Sequence, residues 1–232
     1  KGSRVRLFVL AGHRNMEGER AFVQELKMLK GKESLLRDNA RIAFKYSIGG
    51  GYKVSDSWEP LGPAGYYDTF GPELSFGQTL RTAGHKDIAI AKFTDSGSQI
   101  IDWTKAGSVA KSRNLYPQLL AFVRDSVAQL KAKGHRVNLR GIYYHLGEND
   151  MSWNPFRRGA AKRLQALVTE IRKDLKMPKL VWVVSQQRPT DQKDLNKIDV
   201  VADVAAVAVA AACSAWVAPQ AKSTQPDGIW LG

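Results

Sequence analysis

The sequence predicts an α/β fold: a three-layer α/β/α sandwich with a mainly five-stranded parallel sheet. Its 232 residues suit one domain, since single hydrophobic cores grow to about 250 residues before chains divide. Short apolar runs alternate along the chain with segments of helical periodicity, which is the order of strand–helix–strand crossovers in a parallel sheet. No internal repeat interrupts this order. We therefore expect a single domain over residues 1–232.

Five apolar runs predict the parallel strands. In chain order they are residues 5–10, 87–93, 139–146, 179–185 and 214–218. Each run is rich in β-branched and aromatic residues and is nearly continuous in its apolar character. That pattern is expected for strands that helices cover on both faces.

Helices are expected where apolar side chains recur every three or four residues. These segments are residues 21–29, 74–83, 114–133, 157–175 and 200–212. Because they lie between the predicted strands, they should form the two outer layers of the sandwich.

Residues 31–71 fit neither pattern. They contain three consecutive glycines, two prolines and several aromatic residues. We expect a long loop insertion packed on the domain. Ordered loops of this length are usually functional, often as lids or binding walls.

The composition limits the classes of function. Hydrophobic residues make up 44% and charged residues 25% of the chain, which excludes wholesale disorder, collagen-like repeats and a coiled coil. One cysteine, Cys213, and four histidines without H-x-x-x-H spacing argue against a disulfide and a metal site. The most apolar stretch, residues 200–218, is Ala-rich and contains Asp203, so no membrane span is expected. The net charge of +13 suggests an anionic partner or substrate without identifying it.

Polar clusters follow three of the predicted strands, at the sheet edge where open α/β domains bind their ligands. After the first strand, residues 11–18 have the sequence AGHRNMEG. After the third, residues 145–150 have the sequence HLGEND, and after the last, residues 226–231 have the sequence PDGIWL.

These motifs, together with FGPELSFG at residues 70–77 and with Lys92, resemble the SGNH/GDSL hydrolases. Within that superfamily they are most similar to the carbohydrate O-acetylesterases, such as sialate O-acetylesterases and acetyl xylan esterases. The similarity follows the expected order from about Val5 to Leu231. It implies the SGNH-hydrolase, flavodoxin-like form of the predicted sandwich, no metal or organic cofactor, and an extracellular or periplasmic setting. Chains of this family usually continue into a closing helix, which we expect to be missing after Gly232.

The resemblance implies where the catalytic triad should lie. In the family a serine of the first motif attacks an acetyl ester, a histidine of the last motif takes its proton, and an aspartate three residues earlier orients that histidine. This sequence keeps only the aspartate, Asp227. Arg14 occupies the serine position and Trp230 the histidine position. A guanidinium cannot act as a nucleophile, and an indole N–H cannot accept a proton.

The resemblance also implies a changed oxyanion hole. The family combines the nucleophile's own N–H, a glycine N–H after the second strand and a side-chain amide from the third motif. The corresponding positions here are Arg14, Ser96 with Gly97, and Leu146, while Asn149 is a partial substitute for the amide.

The resulting hypothesis is a catalytically impaired relative of the carbohydrate O-acetylesterases that retains a cleft for a carbohydrate or a small anion. The candidate ligand-binding residues come from the same motifs: His13, Arg14, Asn15, Gly71, His145, Glu148 and Trp230.

Individual residues of this set have two interpretations. Arg14 either binds an anion or fills the vacated pocket by pairing with Asp227 or Glu148. Trp230 either stacks on a sugar or plugs the old cleft. We expect Asp150 to accept backbone N–H groups rather than to act in catalysis.

Two other functions stay open. One is an active O-acetylesterase with a rebuilt site, in which Ser96 or Ser98 pairs with His13 or His145. The other is a basic interaction module for an acidic polymer or a partner protein, using a cluster of basic residues at 157–163. Nucleic-acid binding is not expected, because the chain carries no zinc-finger, helix-turn-helix or RNA-recognition pattern. The sequence carries no signal for an oligomeric state.

Overall fold

The computed structural model describes residues 2–37, 41–109, 113–146, 148–151, 154–185 and 214–217. Its strands are β1 (Arg4–Gly12), β2 (Ala43–Ile48), β3 (Lys53–Val54), β4 (Glu59–Pro60), β5 (Ile88–Thr94), β6 (Arg136–His145), β7 (Val181–Ser185) and β8 (Ser214–Val217). Its α-helices are α1 (Arg14–Glu17), α2 (Val23–Met28), α3 (Ser34–Arg37), α4 (Glu73–Thr82), α5 (Leu115–Ala132), α6 (Glu148–Met151) and α7 (Asn154–Asp174). Two short 3-10 helices cover Gly49–Gly51 and Ile100–Trp103.

In the described part of the chain, the strands form one sheet in the order β3-β2-β5-β1-β6-β7-β8, with β4 also paired to β2. From β2 to β8 every neighbouring pair is parallel. The predicted α/β fold with a mainly parallel sheet is therefore confirmed. All five predicted strands are present, and α2, α4, α5 and α7 lie within the predicted helical segments or within three residues of them. The predicted helix at 200–212 lies outside the described residues.

The prediction for residues 31–71 needs correction, because this segment is not only a loop. It contributes β2 as a sixth parallel strand beside β5, and β3 and β4 pair antiparallel with β2. The β2 sequence AFKYSI lacks a continuous apolar run because Lys45 and Ser47 interrupt it. Lys45 is nonetheless buried, since its ammonium pairs with Asp125 of α5.

Two hydrophobic cores lie on opposite faces of the sheet. Alternate residues of β1 point to them: Leu7 and Val9 belong to the cluster that contains α5 and α7 residues, while Phe8 and Leu10 belong to the cluster that contains α2 and α4 residues. A strand buried on both faces must be apolar at every position, which explains the continuous apolar run in β1. The predicted three layers follow from this packing.

The parallel register brings the ends of the central strands to one edge. Gly12 lies opposite Thr94 of β5 on one side and His145 of β6 on the other, and His145 lies opposite Ser185 of β7. A Cβ on Gly12 would lie 2.0 Å from the His145 carbonyl oxygen, so only glycine permits this approach. The first and third sequence motifs are therefore side by side.

In the part of the chain that the structure describes, every helix is too short or too polar to cross a membrane.

Candidate functional site

Arg14 is the first residue of α1, which follows β1 after the single residue His13. Its φ angle is 27°, in the left-handed region that residues other than glycine rarely adopt. The carbonyl of Arg14 accepts the N–H of Gly18 at 2.7 Å, and Gly18 ends the helix after one turn with a φ of 90°. The side chain is 45% exposed, and its Nε lies 3.9 Å from a carboxylate oxygen of Glu19. Arg14 is therefore presented at the surface of the sheet's carboxyl edge.

The neighbours of Arg14 differ sharply in exposure. His13 is fully buried, and its backbone N–H donates to the His145 carbonyl at 3.1 Å. Asn15 is exposed beside Arg14. Of the first motif, Arg14 and Asn15 can meet a ligand from solvent, whereas the His13 imidazole lies inside the protein.

Glu17 joins three parts of the site, although it was not among the predicted site residues. Its side chain is fully buried, and Oε2 accepts the Gly49 N–H at 3.0 Å and the Thr94 hydroxyl at 2.9 Å. These bonds connect α1 to the glycine turn at 49–51 and to the end of β5. An acidic residue in a short polar motif gives no sequence signal of burial, because its partners are more than 30 residues away.

The segment after β5 contains the second predicted oxyanion position and a half-buried carboxylate. Burial raises the pKa of Asp95 above its ordinary value, Arg113 opposes that rise, and Glu17 adds to it. Gly97 has a φ of 85°, and its carbonyl accepts a guanidinium N–H of Arg113 at 3.1 Å. Ser96 is half-buried at the turn.

Ser98 is held in a structural network. Its hydroxyl lies 2.7 Å from the Asp95 carbonyl, to which it donates, and accepts the indole N–H of Trp103 at 2.9 Å. The side chain is fully buried. The side-chain amide of Asn149 donates to the Ser98 carbonyl at 3.2 Å. Asn149 thus anchors the β5 turn to α6.

At the end of β6, His145 and Leu146 of the motif at 145–150 both contact Ser185 of β7. Leu146 is buried, and its N–H donates to the Ser185 carbonyl at 3.3 Å. His145 is half-buried with Nδ1 2.9 Å from the Ser185 hydroxyl. Glu148 begins α6.

Asp150 accepts a backbone N–H, which confirms the prediction from the sequence. Its two carboxylate oxygens lie 3.2 and 3.0 Å from the backbone nitrogen of Ile100, at the start of a 3-10 helix. Burial raises the pKa of Asp150 to about 7, while the Ile100 N–H and Arg163 oppose that rise and Asp102 adds to it.

Beneath Arg14 and Glu17 lies a buried ion pair between Lys92 of β5 and Glu73 of α4. The Lys92 ammonium donates to Glu73 at 2.7 Å, to the Ala64 carbonyl at 2.7 Å and to the Glu17 carbonyl at 3.0 Å. Burial lowers the pKa of Lys92, and the Glu73 carboxylate opposes that fall. The Gly71 N–H donates to the same carboxylate, and a Cβ on Gly71 would lie 2.4 Å from the Met16 carbonyl. Gly71 therefore joins the FGPELSFG segment at 70–77 to the first motif.

The site is described only in part. Asp227 and Trp230 lie outside the described residues, so the two interpretations of Arg14 and of Trp230 stay predictions. In the basic segment of α7, Arg158 and Lys162 are exposed. The described side chains include no group of three or more His, Cys, Asp or Glu residues that could hold a metal ion.

The family model described as carbohydrate esterase, sialic acid-specific acetylesterase, matches residues 4–231 of the chain. This match confirms the resemblance to carbohydrate O-acetylesterases. No curated protein matches the sequence.

Two solved structures share the fold. A protein from Arabidopsis thaliana, determined at 1.6 Å, has a TM-score of 0.67 at 15% identity, covering 97% of this chain and 89% of its own. A carbohydrate acetylesterase from Xanthomonas citri has a TM-score of 0.62 at 16% identity, covering 92% of this chain and 49% of its own. This chain thus spans about half the length of the Xanthomonas protein.

The Lys92–Glu73 pair should be essential for stability. Lys92→Met leaves the Glu73 carboxylate buried without its cation, so we expect the free energy of unfolding to fall by about 3–5 kcal/mol. Urea denaturation measures this loss. The two ion pairs of the exposed Lys105, with Glu170 and with Asp174, provide the control: Lys105→Met should cause little change. Equal effects of the two substitutions would contradict a special role for Lys92.

The raised pKa of Asp150 should make stability depend on pH. The folded protein keeps this proton up to about pH 7, whereas the unfolded chain releases it near 3.8. The stabilising contribution of protonated Asp150 is therefore complete below pH 3.8 and is lost as the pH rises to about 7. Between pH 4 and 7 the wild type should lose about 2–4 kcal/mol relative to Asp150→Asn.

Urea denaturation across this pH range measures the difference, and Asp174 provides a control of opposite sign. Hydrogen bonds from Tyr116 and Lys105 lower the pKa of Asp174, so its ionised form stabilises the fold as the pH rises. Asp174→Asn should therefore remove a gain in stability with pH. Parallel profiles for the wild type and Asp150→Asn would show that Asp150 titrates normally.

Proposed function

Because the chain belongs to the carbohydrate esterase family of sialic acid-specific acetylesterases, we propose that it is a catalytically impaired member that binds a carbohydrate or a small anion in the former cleft. The single observation that carries this proposal is Arg14. It occupies the position at which the family motif has serine, at the carboxyl edge of the sheet, and its side chain is 45% exposed.

The chemistry of Arg14 supports impairment. Acyl transfer in this family begins with attack by a serine oxygen, which needs a lone pair and a base to take its proton. A guanidinium stays protonated at physiological pH and has no such lone pair. It can instead donate several hydrogen bonds to a carboxylate or to sugar hydroxyls.

The neighbouring groups support the same conclusion. Ser98 is fully buried between the Asp95 carbonyl and the Trp103 indole, and His13 is fully buried. A nucleophile must reach a substrate from the cleft, and a base must lie within hydrogen-bond distance of that nucleophile. These two side chains therefore make poor substitutes for the missing triad.

Arg14 and Asn15 support the binding part of the proposal. Both are exposed at the edge where the central strands end, and ligands of open α/β sheets bind at this edge. The buried residues below them, Glu17 and Lys92, hold the turn in place. Such a rigid frame favours binding because the exposed groups need little reorganisation.

A second candidate function is an active ester hydrolase with a rebuilt site. One observation favours it: the 2.9 Å contact between His145 Nδ1 and the Ser185 hydroxyl at the carboxyl ends of β6 and β7. Ser185 would be the nucleophile and His145 its base.

Hydrolysis of p-nitrophenyl acetate and of an acetylated xylo-oligosaccharide distinguishes the two candidates. We expect the purified wild type not to exceed the uncatalysed rate, because Arg14 removes the nucleophile. If hydrolysis occurs and is abolished in Ser185→Ala and His145→Ala, the rebuilt site is correct and the protein is not impaired. Loss in Ser96→Ala, Ser98→Ala or His13→Ala would likewise contradict impairment. Hydrolysis that survives all five substitutions indicates a contaminating esterase.

Reversing the substitutions should restore weak hydrolysis. Arg14→Ser and Trp230→His return the family's nucleophile and base, and Leu146→Gln returns an oxyanion donor. We expect the triple variant to hydrolyse p-nitrophenyl acetate, with a turnover about 100-fold above that of the variant that retains Leu146.

The matched control is Arg14→Ala combined with Trp230→His and Leu146→Gln, which lacks only the serine hydroxyl and should stay inactive. Circular dichroism shows whether each variant folds. A folded triple variant without turnover would indicate that the cleft no longer accepts an acetyl ester in a reactive position.

A further inference from the structure

Three tyrosines form an exposed aromatic surface beside the candidate cleft. Tyr52 and Tyr67 are 70% and 69% exposed. Tyr66 is half-buried and its ring contacts both of theirs. The Tyr52 and Tyr66 rings stack with centroids 4.4 Å apart and an interplanar angle of 13°. The Tyr66 and Tyr67 rings meet edge to face, 5.0 Å apart and at 72°. We call Tyr52, Tyr66 and Tyr67 the tyrosine platform.

Two tight backbone turns hold the platform. Gly49, Gly50 and Gly51 all have positive φ angles, of 60°, 63° and 95°. A Cβ on Gly49 would lie 2.9 Å from the Tyr66 ring, so the absence of a side chain lets the ring pack on the turn. On the other side, the Gly65 N–H donates to the Thr69 carbonyl at 2.8 Å and closes the turn that carries Tyr66. The rings are therefore positioned before any ligand arrives.

A short series of contacts connects the platform to Arg14. The Glu17 carboxylate accepts the N–H of Gly49, on which Tyr66 packs, and Glu17 is in the same helical turn as Arg14. Burial raises the pKa of Tyr66 above its ordinary value, and Tyr52, Tyr67 and Glu17 add to that rise. The platform and α1 thus lie close to each other.

The charge around the platform differs from that of the whole chain. Residues 49–69 contain one Lys against two Asp and one Glu, although the chain carries a net charge of +13. The one cation, Lys53, contacts the Tyr46 ring and the Gly65 carbonyl. The charges of this region do not attract an anionic ligand. A neutral ligand meets no electrostatic repulsion there.

We propose that the tyrosine platform is a subsite for a neutral pyranose ring of a carbohydrate chain, which stacks on the outward face of Tyr52 and extends over Tyr67. A pyranose whose hydroxyls are equatorial presents C–H groups on its flat faces, and these pack on an aromatic ring while the hydroxyls stay in water. One face of Tyr52 stacks on Tyr66, and the residue is still 70% exposed, which leaves ring surface for a ligand to contact. This inference rests on the proposed carbohydrate-binding function and names a second part of its site.

Isothermal titration calorimetry of the full chain with xylohexaose and with cellohexaose tests the subsite. We expect Tyr52→Ala to weaken binding about three- to tenfold, because it removes the stacking ring, and Tyr67→Ala to weaken it less. Tyr52→Phe keeps the ring and should bind like the wild type. Met28→Ala, at an α2 residue with a matching 71% exposure, should also leave binding unchanged.

The outcomes separate this subsite from the cleft at Arg14. Binding that weakens in Tyr52→Ala but not in Arg14→Ala supports the platform and contradicts the proposed cleft. Binding that weakens in Arg14→Ala but not in either tyrosine variant overturns the platform and supports the cleft. Failure of the wild type to bind either hexasaccharide at millimolar concentration also overturns the platform, while the hydrolysis assays still decide on catalytic impairment.

Discussion

The ion pair between Lys92 and Glu73 is the interaction on which the candidate site depends. Burying an ammonium or a carboxylate is costly unless hydrogen bonds replace the lost water. Here Lys92 donates to the Glu73 carboxylate and to the carbonyls of Ala64 and Glu17, so its three N–H groups are all used. The carboxylate also accepts the N–H groups of Ala64 and Gly71. One compact network thereby joins β5, α4, the loop before α4 and the turn that carries Arg14.

This network is compatible with the proposed replacement of the family's nucleophile at position 14. Its members are buried backbone and side-chain groups, and the Arg14 side chain is not among them. Glu17 extends the network to the glycine turn at 49–51, against which Tyr66 packs. The buried network therefore holds the backbone of the exposed site residues. Those exposed residues can be substituted without disturbing the network.

Much of the fold could be predicted from the sequence, because a central parallel strand must be apolar on both faces and so leaves a continuous signal. That signal identified β1 and β5 and failed for β2. Lys45 interrupts β2, yet it is buried because Asp125 of α5, 80 residues away, neutralises it. In the same way, Ser98 was predicted as a candidate nucleophile from its position alone. The hydrogen bond that its hydroxyl accepts from the Trp103 indole N–H is evident only from the tertiary structure.

The sequence by itself determined the strands β1, β5, β6, β7 and β8, the family, and the presence of an arginine in the first motif, since each depends on local residue type and spacing. The tertiary structure decided which polar residues are buried in the frame and which are exposed. Glu17, Asp95 and the tyrosine platform belong to the site only because separate segments meet at one edge of the sheet. Contacts between residues far apart in the chain set burial, hydrogen-bond partners and pKa values, and no local pattern encodes those contacts.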